Sequence, residues 1–552
     1  MLKQISCDKF MVNGHVREPI NFHNGLNVVL GGKSGTNSIG KSTFLMILDF
    51  VFGGEDYIKE DKDVQKNVGQ HTINFVFEFN KKYYYFSRST KDFQTVNVCN
   101  ENFEPLASRK MTLKEYQKFL AENYGLDLPG LTFRNAVSRF IRVYNRKTVN
   151  EKRPLQTFDQ ESGKQQVYGL LKLFDKYSPI KEREEAADKS EEAYTVFKNA
   201  GEYKYVPIVN TKKQYKENIK KIEDLKIQLA DLESKNTEGT LNLDEMQAER
   251  LRNIRNSLSQ LRDFKNIYTS RLNVVKANEQ AGPNKFRSNY RELKQFFPEV
   301  NLEKIEEIDK FHHQVTKFLK EEFEKEKDTL ENNISDVNRQ INELVAEARK
   351  IKNQQAPNVQ TAILNDYADK KATLKRLEDE NKNYETKNEL NKAKKDQKEA
   401  LHATVNSQVA EVQHKLNEKM AELNEKICGT DAFQPPHIEL KANNYSFETI
   451  NDQGTGTSFK GLILFDQACL DLTRLPFFIH DSLMFSNIEV DRKNKIIEMY
   501  GKETKQVFIS IDTIDLLSEV AKQVITDNIV LKLERGGKEL FGRSWNEQQK
   551  SN

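Results

Sequence analysis

The chain has 552 residues, of which 31% are charged and only 37% hydrophobic, too little apolar surface for one globular mass and a composition that implies long solvent-facing helices. Aromatic residues at 10% argue against wholesale disorder, and 86 basic against 83 acidic side chains leave a net charge of +3, so any nucleic-acid site has to be a local patch. Cys7, Cys99, Cys428 and Cys469 never fall at C-x-x-C spacing, which points away from zinc and disulfides; with no signal-peptide core at the N-terminus and no apolar run near the ~20 residues of a membrane span, a cytoplasmic location and no membrane contact are expected.

Residues 1–178 read as α/β. Strands are expected at Leu26–Leu30, Ile73–Phe79 and Tyr83–Phe86, and helices at Ser42–Phe52 and Thr112–Tyr124. Between the first strand and the first helix lies Gly35-Thr-Asn-Ser-Ile-Gly40-Lys41-Ser42, which matches G-x-x-x-x-G-K-[ST] in the strand–loop–helix order that a P-loop requires. Glycines let backbone amides turn in around phosphate oxygens, and the helix N-terminus adds partial positive charge. The expected cradle is Gly35, Asn37, Ser38, Gly40, Lys41, Ser42 and Thr43, with Lys41 pairing the β/γ-phosphates of ATP and the Ser42 hydroxyl ligating Mg²⁺.

Further along, Arg134, Arg139, Arg142, Arg146 and Lys147, interleaved with Phe140 and Tyr144, form a basic run that clusters if helical. Three readings stay open: a phosphate-tracking DNA patch, a solvated charged face, or an arginine that touches ATP. Arg88, just after Tyr83–Phe86, is a second candidate for ATP contact.

From about 179 to 428 glycine and aromatics thin out and apolar residues recur at heptad spacing. Ile222, Leu225, Leu229 and Leu232 form one such series; Leu251, Ile254, Leu258 and Leu261 another; Ile334, Val337, Ile341, Leu344 and Ile351 a third; Val409, Val412, Leu416 and Leu423 the last. A 3.5-residue period keeps one seam toward a partner helix, the coiled-coil condition, with a bundle of separate helices as the plainer alternative. Gly282-Pro283-Asn284 opens an aromatic, proline-containing segment expected to be the tip where the chain reverses. The expected layout is therefore an outgoing arm at 179–281, a tip at 282–312 and a returning arm at 313–428. Breaks at 236–240 and 355–358 lie at similar distances from the tip, about 60 Å of helix. They read either as a paired elbow or as two unrelated loops.

Residues 429–552 return to α/β, with strands expected at Ile438–Leu440, Leu475–Ile479, Lys495–Met499, Gln506–Ile511 and Ile529–Leu533. A P-loop needs a carboxylate at the end of a neighbouring strand to hold the Mg²⁺ hydration shell, and Asp481, ending an apolar run, is the best candidate. The expected fold class is then an α/β ABC-type P-loop ATPase head assembled from N- and C-terminal segments, plus a long antiparallel coiled coil between them.

An N-terminal P-loop, a long interrupted coiled coil and a C-terminal apolar-strand Asp resemble the SMC and RecN-like ABC ATPases. Gly31-Gly32-Lys33, Phe477-Phe-Ile-His480-Asp481-Ser482 and Leu540-Phe-Gly look closer to the SMC-like subunits of bacterial Lamassu and ABC-three-component antiphage systems. The resemblance implies ATP and Mg²⁺ as cofactors, a homodimer through the heads, double-stranded DNA as a partner, and a nuclease effector with a small accessory subunit. It also implies a signature loop, matched by position at Thr455, Gly456 and Ser458. The sequence departs from the family at three points. Ser482 stands where a glutamate normally polarises the attacking water, with His480 or Glu489 as substitutes; His480 equally reads as a residue that merely packs. The signature loop lacks its usual Ser-Gly-Gly string, so a Gly/Thr-rich surface loop is the alternative. Asp512 replaces the expected switch histidine. These departures imply a slow ATPase, Asp481, His480 and Ser482 being the catalytic candidates. A repair-type ATPase acting on DNA ends and a coiled-coil scaffold with a degenerate site are the alternatives.

Overall fold

The computed structural model describes residues 1–32, 39–60, 62–144, 146–236, 244–280, 302–353, 359–429, 434–452 and 454–545. Gly35, Asn37 and Ser38, the tip from Gly282 to Pro298, and nearly all of both predicted breaks lie outside these residues. The chain divides into two compact units: Met1–Ala186 with Lys398–Asn552, and Ala187–Gln397.

The first unit is built on a five-stranded parallel sheet in the order Ile141–Arg142, Phe477–His480, Gln506–Ile511, Leu26–Leu30, Ile529–Lys532. Strands from the two ends of the chain are interleaved across it, so neither end can form this sheet alone. The strands Leu26–Leu30, Phe477–His480 and Gln506–Ile511 are buried throughout, as a parallel sheet covered on both faces demands. On one face packs the helix Lys41–Val51, whose Phe52 C-cap stacks on Phe477 at 3.9 Å between ring centroids. On the other lie the helices Thr455–Leu472 and Val490–Tyr500. A second, six-stranded antiparallel sheet runs Ile20–Asn21, Leu2–Ser6, Thr72–Phe79, Lys82–Ser89, Thr95–Cys99, Pro105–Thr112. Gln506 ties the sheets together: its amide accepts from Leu2 N at 3.0 Å and donates to Leu2 O at 2.9 Å. The helix Leu113–Asn123 starts at a capping box, Thr112 and Glu115 each satisfying the other's backbone N–H.

One expected strand is a helix instead. Lys495–Met499 lies within Val490–Tyr500, where Ile496, Ile497 and Tyr500 are buried at helical spacing and Asp491, Arg492, Lys493, Lys495 and Glu498 cover the other side. A short apolar run cannot by itself distinguish the two periods.

In the second unit the helices Lys212–Asn236 and Asp244–Gln280 pair antiparallel with Leu302–Asn353 and the first part of Val359–Cys428. Lys394–Glu191 (2.6 Å), Lys226–Glu378 (2.8 Å) and Arg271–Glu326 (2.8 Å) mark successive rungs whose partners converge in number toward the expected tip. Leu229, Ile254, Leu258, Val337 and Leu377 form the buried seam. The outgoing side has a further interruption, between Ser178–Glu202 and Lys212–Asn236. Pro207 lacks a backbone N–H, and its carbonyl is bound by Asn383 Nδ2 at 2.8 Å. From Lys398 onward the returning helix belongs to the first unit, where Val405, Val409, Val412, Leu416, Met420 and Leu423 join the head core.

Candidate nucleotide site

The strand Leu26–Leu30 delivers the chain to Gly31, whose N–H donates to Ile511 O at 2.8 Å on the neighbouring strand. A side chain at Gly31 would meet Asp512 O at 2.9 Å and the Lys41 Cδ at 3.3 Å, so only glycine lets these three segments close up. Gly40 caps the P-loop helix with φ of 95°, a conformation favouring glycine, and a Cβ there would lie 2.6 Å from Leu540 Cβ. Leu540 N donates to Ile39 O at 3.1 Å. The terminal Leu540-Phe-Gly string thus braces the end of the loop across some 500 residues of sequence. Lys41, nearly buried, and the half-buried Ser42 and Thr43 open an 11-residue helix, the arrangement that receives an anion. Lys41 Nζ lies 3.0 Å from Asp512 Oδ1.

Asp481 lies at the carboxyl end of Phe477–His480, one strand away from the P-loop strand. Residues alternate along this strand, so Phe477, Ile479 and Asp481 face the P-loop helix while Phe478 and His480 face away. The same alternation on the intervening strand puts Phe508, Ser510 and Asp512 on the P-loop side. Asp481 is buried; its Oδ1 accepts from Ser510 Oγ at 2.7 Å and Ser482 N at 2.8 Å, and its Oδ2 from Tyr144 N at 3.1 Å. Three of roughly four acceptor positions of a carboxylate are therefore used, and one is left for a metal-bound water. A Mg²⁺ held through Ser42 and a water on Asp481 fits this donor set. Among the described residues there is no cluster of three or more His, Cys, Asp or Glu that would hold a metal by itself. Ser482 is half-buried and begins a short 3₁₀ turn; its N–H also meets Ser510 Oγ at 2.9 Å.

His480 does not face the Lys41 side of the sheet. Its ring is fully buried on the far face, with Nδ1 2.9 Å from the Tyr500 hydroxyl and Nε2 2.9 Å from Asp466 Oδ2. Burial lowers its pKa, with Asp466 pulling the other way. Asp466 is also held by Arg142 through two bonds, Nε–Oδ2 at 2.8 Å and Nη2–Oδ1 at 2.6 Å. Burial alone would raise the Asp466 carboxyl, but Arg142 and His480 outweigh it and leave it below the usual range. Glu489 is exposed and pairs with Arg492 at 3.2 Å.

The signature position lies at the exposed N-terminus of Thr455–Leu472. Asp452 organises it, accepting from Gly454 N at 3.1 Å and Thr457 Oγ1 at 2.8 Å. Gly456 passes so close to the loop after Asp481 that a Cβ would meet Asn487 O at 2.3 Å. Thr455 is exposed and Ser458 half-buried, its N–H bonded to Gly454 O at 2.9 Å. This helix carries Asp466, so the loop and the strand ending at Asp481 share one rigid brace.

Arg88 is not at the Lys41 end of the helix Lys41–Val51. It is fully buried at the opposite end of the P-loop helix, donating to Phe50 O, Gly54 O and Phe93 O and lying 3.9 Å over the Phe50 ring. It satisfies one terminal helix carbonyl, that of Phe50, and two loop carbonyls; burial lowers its pKa to about 10. The basic run is likewise mostly internal, and it is not one helix: Phe133–Val137 is followed by a 3₁₀ turn and the strand Ile141–Arg142. Arg134 and Arg146 grip the buried Asp49 at 2.6 and 2.9 Å, Arg139 donates to Gln166 O at 3.1 Å, and Arg142 holds Asp466. Only Lys147 and Tyr144 are exposed, Lys147 pairing with Asp159 at 3.2 Å. The expected DNA patch is therefore an internal bracing set. Asp49 and Asp466, the acidic centres that claim these arginines, were invisible as such in the sequence; an Asp inside an otherwise apolar helical run was the available signal.

Residues 420–545 match a family model described as an uncharacterised protein conserved in bacteria, DUF2326. Among solved structures, the chain is similar to a Pyrococcus yayanosii Smc head domain with a coiled coil and joint: 13% identity, 98% of this chain, 96% of that chain, TM-score 0.39. It is also similar to a Pyrococcus furiosus Smc head domain with an extended coiled coil bound to the C-terminal domain of ScpA: 10% identity, 98% and 95% coverage, TM-score 0.35. A comparison with curated proteins returns no match. Among the described residues, no helix is long and apolar enough to cross a membrane.

Proposed function

We propose that the chain binds Mg²⁺·ATP at Lys41, Ser42 and Asp481 and that two heads associate around the bound nucleotide, each P-loop facing the other's loop at Thr455, Gly456 and Ser458. The observation that carries this reading is the parallel sheet itself. It brings Lys41, from one end of the chain, and Asp481, from the other, to the same face and the same carboxyl edge, the place where open α/β sheets bind ligands. When bound, Mg²⁺ supplies charge neutralisation for the phosphates. Lys41 pairs with phosphate oxygens, the helix N-terminus adds its amides, and Asp481, fixed by Ser510 and Tyr144 N, orients a water of the metal shell. Hydrolysis is slow because Ser482 puts no carboxylate beside the attacking water and His480 is committed to Asp466 and Tyr500.

The partners follow from the resemblance at Phe477–Ser482 and Leu540–Gly542: double-stranded DNA as the polymer sensed, and a defence complex in which this subunit controls a nuclease together with a small accessory subunit. The arginine run no longer supports the DNA part, since its members are internal.

Light-scattering mass beside phosphate release tests the reading. Dimers form with Mg²⁺·ATP, fade with ADP and are lost in Lys41→Ala. A mass indifferent to nucleotide in the wild-type chain would sink the switch and leave a scaffold.

A further inference from the structure

We propose that Asp512 competes with the nucleotide phosphates for Lys41 and thereby makes nucleotide binding dependent on a divalent cation. The proposal rests on the nucleotide reading above and deepens it.

Asp512 follows directly on the strand Gln506–Ile511 and alternates onto the P-loop face with Ser510. Its Oδ1 lies 3.0 Å from Lys41 Nζ, and the Lys41 side chain is 7% exposed against 39% for Asp512. A second cation, the half-buried Lys493, is close enough to feel the Asp512 charge. The contact is held from the backbone side as well. Gly31 N–H binds Ile511 O, and the missing side chain at Gly31 lets the Asp512 backbone and the Lys41 methylenes approach the same point. The Asp512 backbone is therefore fixed beside Lys41, and its carboxylate pairs with the lysine that the proposed phosphate has to reach.

Lys41 is the cation that a triphosphate has to recruit. In doing so the triphosphate takes the lysine from Asp512 and comes to rest beside a carboxylate fixed by its own strand. Two anions so placed repel unless positive charge stands between them. Mg²⁺ offsets that repulsion by neutralising phosphate charge; without it, the carboxylate disfavours the bound state. Asp481 instead accepts from Ser510 Oγ, Ser482 N and Tyr144 N, with one acceptor position left for a metal-bound water.

Equilibrium titration of the full chain with ATP, once with excess Mg²⁺ and once with excess EDTA, measures the dependence directly. Wild type binds in Mg²⁺ and far more weakly in EDTA. Asp512→Asn, checked by its melting curve for an intact fold, gains about tenfold in EDTA and little in Mg²⁺, the size expected for removing one partly screened charge. Asp512→Glu retains the charge and keeps the wild-type gap. An unchanged gap in Asp512→Asn, or a loss of affinity in both conditions, overturns the proposal while leaving the nucleotide site standing. Absence of wild-type binding even in Mg²⁺ overturns the nucleotide reading and this proposal with it.

Discussion

Arg142 and Asp466, 324 positions apart in sequence, meet in a two-bond ion pair from which solvent is wholly excluded. The pair joins the strand Ile141–Arg142 to the helix that begins at the signature position, and through His480 it reaches the strand that ends at Asp481. Breaking such a pair leaves an uncompensated buried charge. Asp466→Ala or Arg142→Met alone is expected to cost the head about 3–5 kcal/mol, and the double variant with apolar replacements to recover much of it. Denaturant melts of the three proteins check this; additive losses would mean the pair is not coupled.

His480 gives the head a pH dependence with a definite sign. Its folded pKa is held below the ordinary 6.5 by burial. Above 6.5 the imidazole is neutral in both folded and unfolded chains. Below it the unfolded chain takes up a proton that the folded chain refuses, so stability falls with pH until the folded pKa is passed. Asp466, itself depressed, contributes only in more acid solution. Melting temperatures between about pH 7 and about pH 5.5 should fall in the wild type and fall less in His480→Gln. Equal slopes would assign the loss to other groups.

Arg88→Ala should weaken the fold without weakening the nucleotide. Three carbonyls, of Phe50, Gly54 and Phe93, lose their donor when the guanidinium goes. A loss of about 2–3 kcal/mol is expected, with ATP affinity per folded molecule unchanged. A selective loss of affinity would return Arg88 to the nucleotide.

Ser482→Glu should accelerate phosphate release. Its backbone N–H is already fixed by Asp481 Oδ1 and Ser510 Oγ, and the side chain starts from the turn beside the Asp481 carboxylate. Supplying a water-orienting carboxylate is worth ~10²-fold or more where geometry allows. Rates no higher than wild type, with ATP still bound, would mean that the missing glutamate does not limit turnover.

Cysteines placed at Lys226 and Glu378, in a chain with its four native cysteines replaced, should cross-link with a short reagent, since the native side chains touch at 2.8 Å. Failure would contradict the antiparallel pairing of the arms.

The strand Leu26–Leu30, the helix at Ser42 and the first three heptad series were legible because each is a local pattern, whereas the fourth, Val409 to Leu423, packs into the core of the first unit. A strand-loop-helix order and a 3.5-residue period depend only on residues near in sequence. The strand Gln506–Ile511 was read to the residue for the same reason, whereas the neighbouring Lys495–Met499 was too short to separate a helix from a strand. The interruption around Pro207 had a signal, the proline itself, ahead of the first heptad series at Ile222.

Charge was another matter. Arg88, Arg134, Arg139, Arg142 and Arg146 look alike in the sequence as solvent-facing cations, and so do Asp49 and Asp466 as ordinary acids. Their roles depend on partners that the fold brings to them, from Phe93 for Arg88, 5 residues away, to Asp466 for Arg142, 324 residues away. A long polar side chain stays on the surface by default and goes inside only where the fold offers acceptors that offset its desolvation. Sequence by itself determined that a G-x-x-x-x-G-K-[ST] string follows one apolar strand and that Asp481 ends another apolar run. Only the tertiary structure decided which charges gather at the carboxyl edge of the sheet and which brace the interior, because burial and hydrogen-bond satisfaction are properties of the assembled sheet.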